Sequence, residues 1–266
     1  MGNAMASVMD LTGRRALVCG ASRGIGRAAA IAIAERGAEV MVLARSASRL
    51  EALLPELEAR GARRARSVPA DLDDLEGLPA TLDQILDDGP IHVVINNTGG
   101  PPGGPLIDAT PQALLSALQR HLIAAQIIMQ RVLPGMRQAA FGRFIQVLST
   151  SVREPIDNLG VSNITRGAMA SWAKTLSREV PPGVTINNVL PGFTATDRLD
   201  ELSRTVAARK NISTEEVYAA WLAGVPEARL AEPAELGAVI AFLASPSSSF
   251  VRGVSLPVDG GRLHSI

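Results

Sequence analysis

The chain has 266 residues, of which 47% are hydrophobic, and its 26 lysine and arginine residues match its 26 aspartate and glutamate residues. This length and apolar content predict one large core and a single domain over residues 1–266. Balanced charge argues against a nucleic-acid partner or an anionic membrane partner, because both bind proteins through a positive field.

Cysteine content and hydropathy indicate the compartment. Cys19 is the only cysteine, so no internal disulfide can form and a reducing environment is expected. No apolar run reaches the length that spans a bilayer, and residues 1–10 lack the pattern of an export signal. We therefore expect a cytoplasmic protein.

Short β-branched runs alternate with longer helical stretches almost to the end of the chain. The intervening stretches, of about 12 to 25 residues, are long enough for crossover helices between parallel strands. This alternation predicts an α/β fold, a Rossmann-type doubly wound parallel sheet with helices on both faces. The seven candidate strands are residues 16–19, 39–44, 66–69, 91–96, 143–148, 185–189 and 253–256.

The first candidate strand leads into the turn Gly20-Ala21-Ser22-Arg23-Gly24-Ile25-Gly26, which opens a helix. Such a turn leaves free backbone N–H groups at the positive end of the helix dipole, where they attract a pyrophosphate. Glycine removes the β-carbons that would keep the phosphates at a distance. Flanked by a strand, a helix and a second strand, the turn predicts a dinucleotide site.

A polar segment with two apolar patches interrupts the alternation between Pro191-Gly192 and Pro233 and contains Tyr218 and Trp221. Its position after a late strand suits a lid, at about residues 193–228, over the nicotinamide end of a cleft. The sequence equally allows a surface helical hairpin.

Further motifs follow the candidate strands in order. They are Asp71 after the third strand, Asn96-Asn97-Thr98-Gly99 after the fourth, Ser149 after the fifth, Pro191-Gly192-x-x-x-Thr196 after the sixth and Val258-Asp259-Gly260-Gly261 near the end. With Gly20-x-x-x-Gly24-x-Gly26, this series resembles the short-chain dehydrogenase/reductase family over nearly the whole chain.

The resemblance implies a nicotinamide cofactor held at the ends of the strands, with Asp71 and Leu72 flanking the adenine and Asn96 bracing the sheet. The residues expected to bind the cofactor are Gly20, Ser22, Arg23, Gly24, Ile25, Gly26, Arg45, Asp71, Leu72, Asn97, Gly99, Arg166, Pro191, Gly192, Thr194 and Thr196.

The end of the second strand bears on the choice between NADP(H) and NAD(H). A site for NAD(H) needs a carboxylate there, about 20 residues past the glycine turn, to bind the ribose hydroxyls. This chain has Ala44 and Arg45, with Arg23 inside the turn. Guanidinium groups suit a 2′-phosphate, so we expect NADP(H) rather than NAD(H). Two alternatives stay open: Arg45 as a solvated helix-start residue, and Arg23 as a clamp on the loop.

The resemblance fails at the catalytic centre. Most family members carry Tyr-x-x-x-Lys about 13 residues beyond the serine, and here those positions hold Ser162 and Arg166. The only tyrosine is Tyr218, in the insert, so no Tyr-x-x-x-Lys exists in the chain. The chain resembles a divergent branch with Ser-x-x-x-Arg, and no metal site is expected.

The expected catalytic residues are Ser149, Ser162, Arg166 and His121, the last at a position where the family usually has asparagine. Ser149 can donate a hydrogen bond to a carbonyl oxygen, and Arg166 can stabilise negative charge on it or bind the ribose. A proton can come from water through Ser162 or from Tyr218, and His121 can feed a relay, because its pKa is expected near the working pH. Two alternatives remain, a packed helix histidine at 121 and an outward-facing Tyr218.

Two functions from different classes fit these residues. The first is an NADP(H)-dependent oxidoreductase that transfers hydride between nicotinamide and a carbonyl or alcohol, resembling 3-oxoacyl thioester reductases. The second is an NADP(H)-binding sensor or partner subunit with little or no dehydrogenase activity. The expected partners are a small or acyl carbonyl substrate and a second copy of the chain. A homodimer or homotetramer would form through the long helices predicted over residues 111–140 and 158–180.

Overall fold

The computed structural model describes residues 9–265, and a parallel sheet of seven strands forms its centre. The strand order β3-β2-β1-β4-β5-β6-β7 confirms the predicted fold class. Residues 1–8 and residue 266 lie outside the described part, so most of the segment in the expectation about an export signal, residues 1–10, is not described. The strands are β1 (Arg15–Cys19), β2 (Glu39–Ala44), β3 (Arg64–Pro69), β4 (Val93–Asn96), β5 (Gly142–Val147), β6 (Val184–Pro191) and β7 (Ser255–Val258).

Helices cover both faces of the sheet. They are α1 (Gly24–Ala34), α2 (Ala47–Ala59), α3 (Leu78–Leu86), α4 (Pro111–Leu118), α5 (Ala124–Gln138), α6 (Gly160–Glu179), α7 (Asp197–Lys210), α8 (Thr214–Leu222) and α9 (Pro233–Ala244). Helices α1, α2 and α9 enclose one core, which includes Ile33 and Ile240. Helices α3, α5 and α6 enclose the other, around Ile128 and Phe144. Burial on both faces is what makes an all-parallel sheet stable.

The chain reverses its direction across the sheet at β1. Strands β2 and β3 lie on one side of β1, and β4 to β7 lie on the other. Val18 of β1 is in register with Val42 of β2 and with Ile95 of β4. The helical connections after β1 lead to one side of β1, and those after β4 lead to the other side. A crevice therefore opens between the loops that follow β1 and β4. The glycine turn and the segment after Asn96 therefore face each other.

The helix predicted over residues 111–140 is divided by a π turn, residues Gln119–Ile123. In this turn the backbone N–H of Ala124 donates to the carbonyl of Gln119, five residues earlier. The sequence pattern did not reveal the turn, because residues 112–133 contain neither glycine nor proline. Single π turns inside helices often mark functional sites, and this one contains His121.

The insert after β6 forms the two helices α7 and α8. A capping box of Ser213 and Glu216 starts α8, so the insert has regular structure of its own. Its two ends meet at the base, where Ala195 N–H donates to the Ala231 carbonyl and Ala231 N–H donates to the Phe193 carbonyl, both at 2.9 Å. The chain thus leaves the domain and returns to it at one place.

Two expectations about simple features can be compared with residues 9–265. Within this range no helix is long and apolar enough to span a bilayer. Cys19 is buried in β1, and burial raises the pKa of its thiol to about 12, which makes it unreactive. The cytoplasmic location stays a prediction.

Candidate active site

The glycine turn packs tightly against the segment that follows β4. A β-carbon on Gly20 would lie 2.5 Å from the carbonyl oxygen of Asn97, and one on Gly26 would lie 2.2 Å from the carbonyl oxygen of Gly20. Gly20 and Gly24 also have φ angles of +61° and +56°, which strain other residues. The Asn97 amide donates to the Gly20 carbonyl at 3.3 Å. Only glycine fits at these positions.

This turn forms a cradle for an anion. It leads into α1, whose first turn carries no acidic side chain. The free N–H groups of that turn and the helix dipole therefore attract negative charge without competition. Ser22 and Ile25, both expected to bind the cofactor, are half-buried at the mouth of the cradle. The residues present fit a dinucleotide pyrophosphate.

The two arginines expected at the 2′-phosphate have different surroundings. Arg23 forms exposed ion pairs with Asp197 at 3.6 Å and Glu201 at 3.3 Å, both on α7. These contacts agree with the clamp alternative, because they link the glycine turn to the insert. Arg45 is exposed just after β2 and forms no ion pair within residues 9–265. Its guanidinium therefore keeps its donors available.

The segment after β3 places the residues expected near the adenine. The Asp71 carboxylate is exposed and accepts from the backbone N–H of Asp73 at 3.1 Å. Leu72 is buried and belongs to the core under α3. Asn96, at the end of β4, donates to the Gln146 side chain at 2.6 Å, which ties β4 to β5 as expected of a bracing residue.

Ser149 lies two residues after β5, half-buried at the carboxyl edge of the sheet. Its hydroxyl oxygen accepts a hydrogen bond from the backbone N–H of Ser151 at 3.1 Å. Because that bond uses the oxygen as the acceptor, the hydroxyl proton is free to donate to another group.

Arg166 extends from α6 to the ends of two strands. Its Nη1 donates to the Val147 carbonyl at 3.1 Å, and its Nη2 donates to the Thr98 carbonyl at 3.3 Å. The side chain is buried and pairs with no carboxylate in the described part of the chain. Burial lowers the pKa of the guanidinium to about 10, so it stays cationic at neutral pH. Ser162 lies one helical turn earlier, half-buried, with no side-chain hydrogen bond among the described residues.

His121 is buried, with an exposed fraction of 1%. Its Nδ1 shares a short hydrogen bond with the Thr98 hydroxyl, whereas Nε2 has no partner within residues 9–265. Burial first, and then the charges of Arg166 and Arg120, lower the pKa of the imidazole to about 2. The sequence-based assumption that His121 titrates near the working pH is therefore wrong, because an imidazolium here would be desolvated beside two cations.

The segment after β6 lines the same edge. A β-carbon on Gly192 would lie 2.6 Å from the Cα of Asp259, so this backbone passes close to the end of β7. The Thr194 hydroxyl donates to the Gly192 carbonyl at 3.2 Å. Thr196 caps α7, and its methyl carbon would lie 3.2 Å from a β-carbon on Gly24. The expected residues Pro191, Gly192, Thr194 and Thr196 thus run from the sheet to the glycine turn.

The loop after β4 is fixed at its far end. Gly104 N–H donates to the Asn158 carbonyl at 2.7 Å, and Gly160 N–H donates to the Gly104 carbonyl at 3.0 Å. Gly99, expected to bind the cofactor, is exposed, and a β-carbon there would meet nothing within 4 Å. Packing therefore does not require a glycine at position 99.

A column of side chains that the sequence did not predict joins the insert to the segment after Ser149. Arg262 Nη1 donates to the Thr150 hydroxyl at 3.0 Å, and its guanidinium lies 4.9 Å over the Phe193 ring. Phe193 in turn stacks on Trp221 of α8, with ring centroids 5.0 Å apart. The only signal in the sequence was the position of Arg262 directly after Gly260-Gly261. No local pattern shows contacts over such separations.

Tyr218 does not point at this centre. Its hydroxyl donates to the carboxylate of Asp200 on α7, and its ring packs edge-on against Trp221. Burial and the Asp200 hydrogen bond raise the pKa of the phenol. Both contacts keep Tyr218 within the insert.

Comparisons with known proteins agree with this geometry. A family model described as enoyl-(acyl carrier protein) reductase matches residues 20–262. The chain is 34% identical to the 3-oxoacyl-(acyl-carrier-protein) reductase FabG of Vibrio harveyi over 95% of its own length and 98% of that protein. It is 27% identical to the NADPH-dependent reductase BacG of Bacillus subtilis over 95% of its own length and 99% of that protein.

A solved structure of L-sorbose reductase from Gluconobacter frateurii, complexed with NADPH and L-sorbose, matches with a TM-score of 0.91 at 26% identity. The match covers 97% of this chain and 100% of that one. The chain belongs to the short-chain dehydrogenase/reductase family. Its homologues are oxidoreductases, which confirms the predicted enzyme class for this member of the family.

Proposed function

We propose that the protein is an NADP(H)-dependent oxidoreductase that transfers hydride between the nicotinamide and a carbonyl or alcohol. The cofactor agrees with BacG, an NADPH-dependent reductase, and with the NADPH complex of L-sorbose reductase. Similarity to FabG supports 3-oxoacyl thioesters as the first substrate class to test. The observation that carries the proposal is the buried Arg166 cation, held at the ends of β4 and β5, near which Ser149 follows β5.

The cofactor would be held mainly by backbone groups. The glycine turn would receive the pyrophosphate, Arg45 the 2′-phosphate and Arg166 the nicotinamide ribose. The segment after β6, from Pro191 to Thr196, would border the nicotinamide end, and the insert would cover it as a lid. Two contacts support the lid role: Arg23 with α7, and Arg198 Nη2 with the Pro101 carbonyl at 3.1 Å.

The cofactor, when bound, supplies or accepts the hydride, and the chain has to manage the charge on the substrate oxygen. Ser149 donates its free proton to that oxygen in a hydrogen bond. Arg166 stabilises the negative charge that develops there, because a fixed cation in a desolvated site needs no reorganisation. Ser162, which has no other side-chain partner among residues 9–265, passes a proton from water. In this proposal Ser162 and Arg166 replace the tyrosine and lysine of the family.

Ser149→Ala tests the central role. We expect turnover of 3-oxoacyl thioesters to fall by about 100-fold to 1,000-fold, the usual effect of removing one donor from an oxyanion site. The dissociation constant of NADPH, followed by its fluorescence, should not change. Ser171→Ala, at an exposed position of α6, is the matched control. An unchanged rate in Ser149→Ala would refute this role.

Arg166 can be tested with a size-matched pair. Arg166→Met removes the charge and should weaken both NADPH binding and turnover, by about 100-fold in turnover. Arg166→Lys keeps a cation but loses the planar fork, so it should restore only part of the activity. Equal activity of the two variants would show that charge has no part in the chemistry.

The second candidate function is an NADP(H) sensor or partner subunit. Tyr218 favours it, because Asp200 holds the only phenol of the chain inside the insert. NADPH consumption with ketones, quinones and 3-oxoacyl thioesters separates the two functions. Tight NADPH binding without turnover of any of these classes would establish the sensor.

We also propose that the chain self-associates through α4 and α6, which pack against each other. Leu115 on α4, Ile123 in the π turn and Ile164 on α6 are exposed apolar residues on this part of the surface. Covering such side chains with a second copy would remove them from water. Light scattering of Ile164→Lys should show a smaller mass than the unmodified protein, and an unchanged mass would exclude this surface.

A further inference from the structure

The orientation of the Arg166 guanidinium depends on backbone carbonyls. Two backbone carbonyls, those of Val147 and Thr98, accept one hydrogen bond each from it. Among residues 9–265, no carboxylate pairs with the guanidinium through two parallel hydrogen bonds, the geometry that usually fixes an arginine. A contact that fixes the Thr98 carbonyl therefore also helps to fix the position of the Arg166 charge.

Thr98 is not held by secondary structure. It follows the last residue of β4 by two positions and lies in a loop, half-buried. The side-chain contact that restrains it is the short hydrogen bond between its hydroxyl and Nδ1 of His121. His121 itself is fixed, because it is buried and lies in the π turn between α4 and α5. A rigid helix pair thus reaches the loop through one side chain.

We propose that His121 is a positioning residue that holds Thr98, and through the Thr98 carbonyl holds the Arg166 guanidinium against the substrate oxygen. This inference rests on the proposed function, because it gives Arg166 its target. It assigns no proton transfer to His121. The π turn contributes to this arrangement, since it contains His121, whose ring contacts Thr98, 23 residues earlier in the chain.

The electrostatics agree with a positioning role. A buried imidazole between Arg166 and Arg120 stays neutral, as its pKa of about 2 indicates. A neutral ring next to Arg166 does not repel the cation, whereas an imidazolium would. Arg120, whose charge also lowers this pKa, forms an ion pair with Asp73. The unpartnered Nε2 takes no part in the connection to Arg166.

Substitutions at His121 separate the two ring nitrogens. The side-chain amide of asparagine reaches the position of Nδ1, so His121→Asn should keep the bond to Thr98 and near-normal kcat. His121→Leu is similar in size but has no polar atom, and it should lower kcat and weaken NADPH binding by about tenfold, the effect of one lost hydrogen bond. Thr98→Val removes the hydroxyl that forms the same bond and should lower kcat and NADPH affinity by the same factor. The double variant should be no worse than either single one.

His92 supplies the control, because it is also buried and its Nδ1 also accepts a hydrogen bond, from Arg15 N–H at 3.1 Å, just before β4 begins. His92→Leu should lower the melting temperature without changing kcat. Losses at His121 and Thr98 that multiply in the double variant would overturn the proposal. So would a loss in His121→Asn as large as in His121→Leu, because that result assigns the function to Nε2. If no carbonyl is reduced at all, the proposed function fails, and the NADPH dissociation constants of the same variants still test the positioning role.

Discussion

The two halves of the crevice are built in different ways. On the side of β1 and β2 the cradle consists of backbone, and Gly20 and Gly26 are needed because neighbouring atoms leave no room for a β-carbon. On the other side the centre consists of side chains: Arg166 and His121 form hydrogen bonds to Thr98, and Ser149 accepts one from the backbone N–H of Ser151. The first half depends on the space left by absent β-carbons, and the second depends on the orientation of its side chains.

This difference teaches where the chain tolerates change. The backbone cradle should tolerate substitutions whose side chains point away from it, but not substitutions that add an atom inside it. The catalytic half should survive exchanges that keep a hydrogen bond in place. The following predictions test this contrast, beginning with the largest expected effect.

Gly26→Ala should abolish the cradle. Its β-carbon would overlap the Gly20 carbonyl oxygen at 2.2 Å, and that oxygen belongs to the backbone, which cannot easily move aside. With an overpacking cost of about 1–3 kcal/mol, we expect NADPH affinity to fall by about 100-fold. Fluorescence titration measures this.

Gly167→Ala is the control for the glycine variant, because a β-carbon on Gly167 would meet nothing within 4 Å. Within α6 the extra methyl group should raise the free energy of unfolding by about 0.5–1 kcal/mol and leave NADPH binding intact. Normal binding in Gly26→Ala would show that the cradle does not hold the cofactor.

Arg45→Gln should separate the two candidate phosphate ligands. Loss of a charge-assisted hydrogen bond worth about 1.5–3 kcal/mol should weaken NADPH binding by about tenfold or more while leaving NADH binding unchanged. Arg23→Gln breaks only exposed ion pairs with α7, so it should affect both cofactors alike and by less than about fivefold. A loss confined to NADPH in both variants would mean that both arginines reach the 2′-phosphate.

Arg262→Met should loosen the column between the insert and the segment after Ser149. The lost contacts, one hydrogen bond to Thr150 and one cation–π contact with Phe193, together contribute about 1–2 kcal/mol. We expect KM for the carbonyl substrate to rise by about fivefold, with NADPH binding unaffected. Arg131→Met, which breaks an exposed ion pair on α5, should leave KM unchanged.

The pH profile should show the smallest effect. Because the pKa of His121 is lowered to about 2, the ring is already neutral at every pH in normal use, and no inflection is expected between about pH 6 and about pH 9. Turnover should fall only as the pH rises through the Arg166 pKa of about 10, where the cation is lost. An inflection near neutrality that disappears in His121→Asn would assign a protonation step to His121.

The sequence predicted the backbone half of the crevice well. All seven strands and the glycine turn were predicted because they depend on local spacing of glycine and apolar residues, whereas the motifs at the strand ends came from the resemblance to the family. Strand ends moved by about two residues, as with β3, which begins at Arg64. Their positions depend on pairing with neighbours.

The side-chain half was found less completely, since its contacts join distant positions. Arg166 and Thr98 are 68 residues apart, and Arg262 and Thr150 are 112 apart. The ordinary pKa of histidine could not indicate that His121 is buried near two arginines, which lower its pKa. Nor did the apolar periodicity show the π turn, because nothing between residues 112 and 133 breaks a helix.

The closed base of the insert has a practical consequence. Because Phe193, Ala195 and Ala231 join its two ends by hydrogen bonds, the helices between them form a module with a fixed footprint. Exchanging that module for one of different length would add little entropic cost, since the ends are already together. On the proposed lid role of the insert, we expect grafting of whole segments here to change the substrate range without redesign of the sheet below.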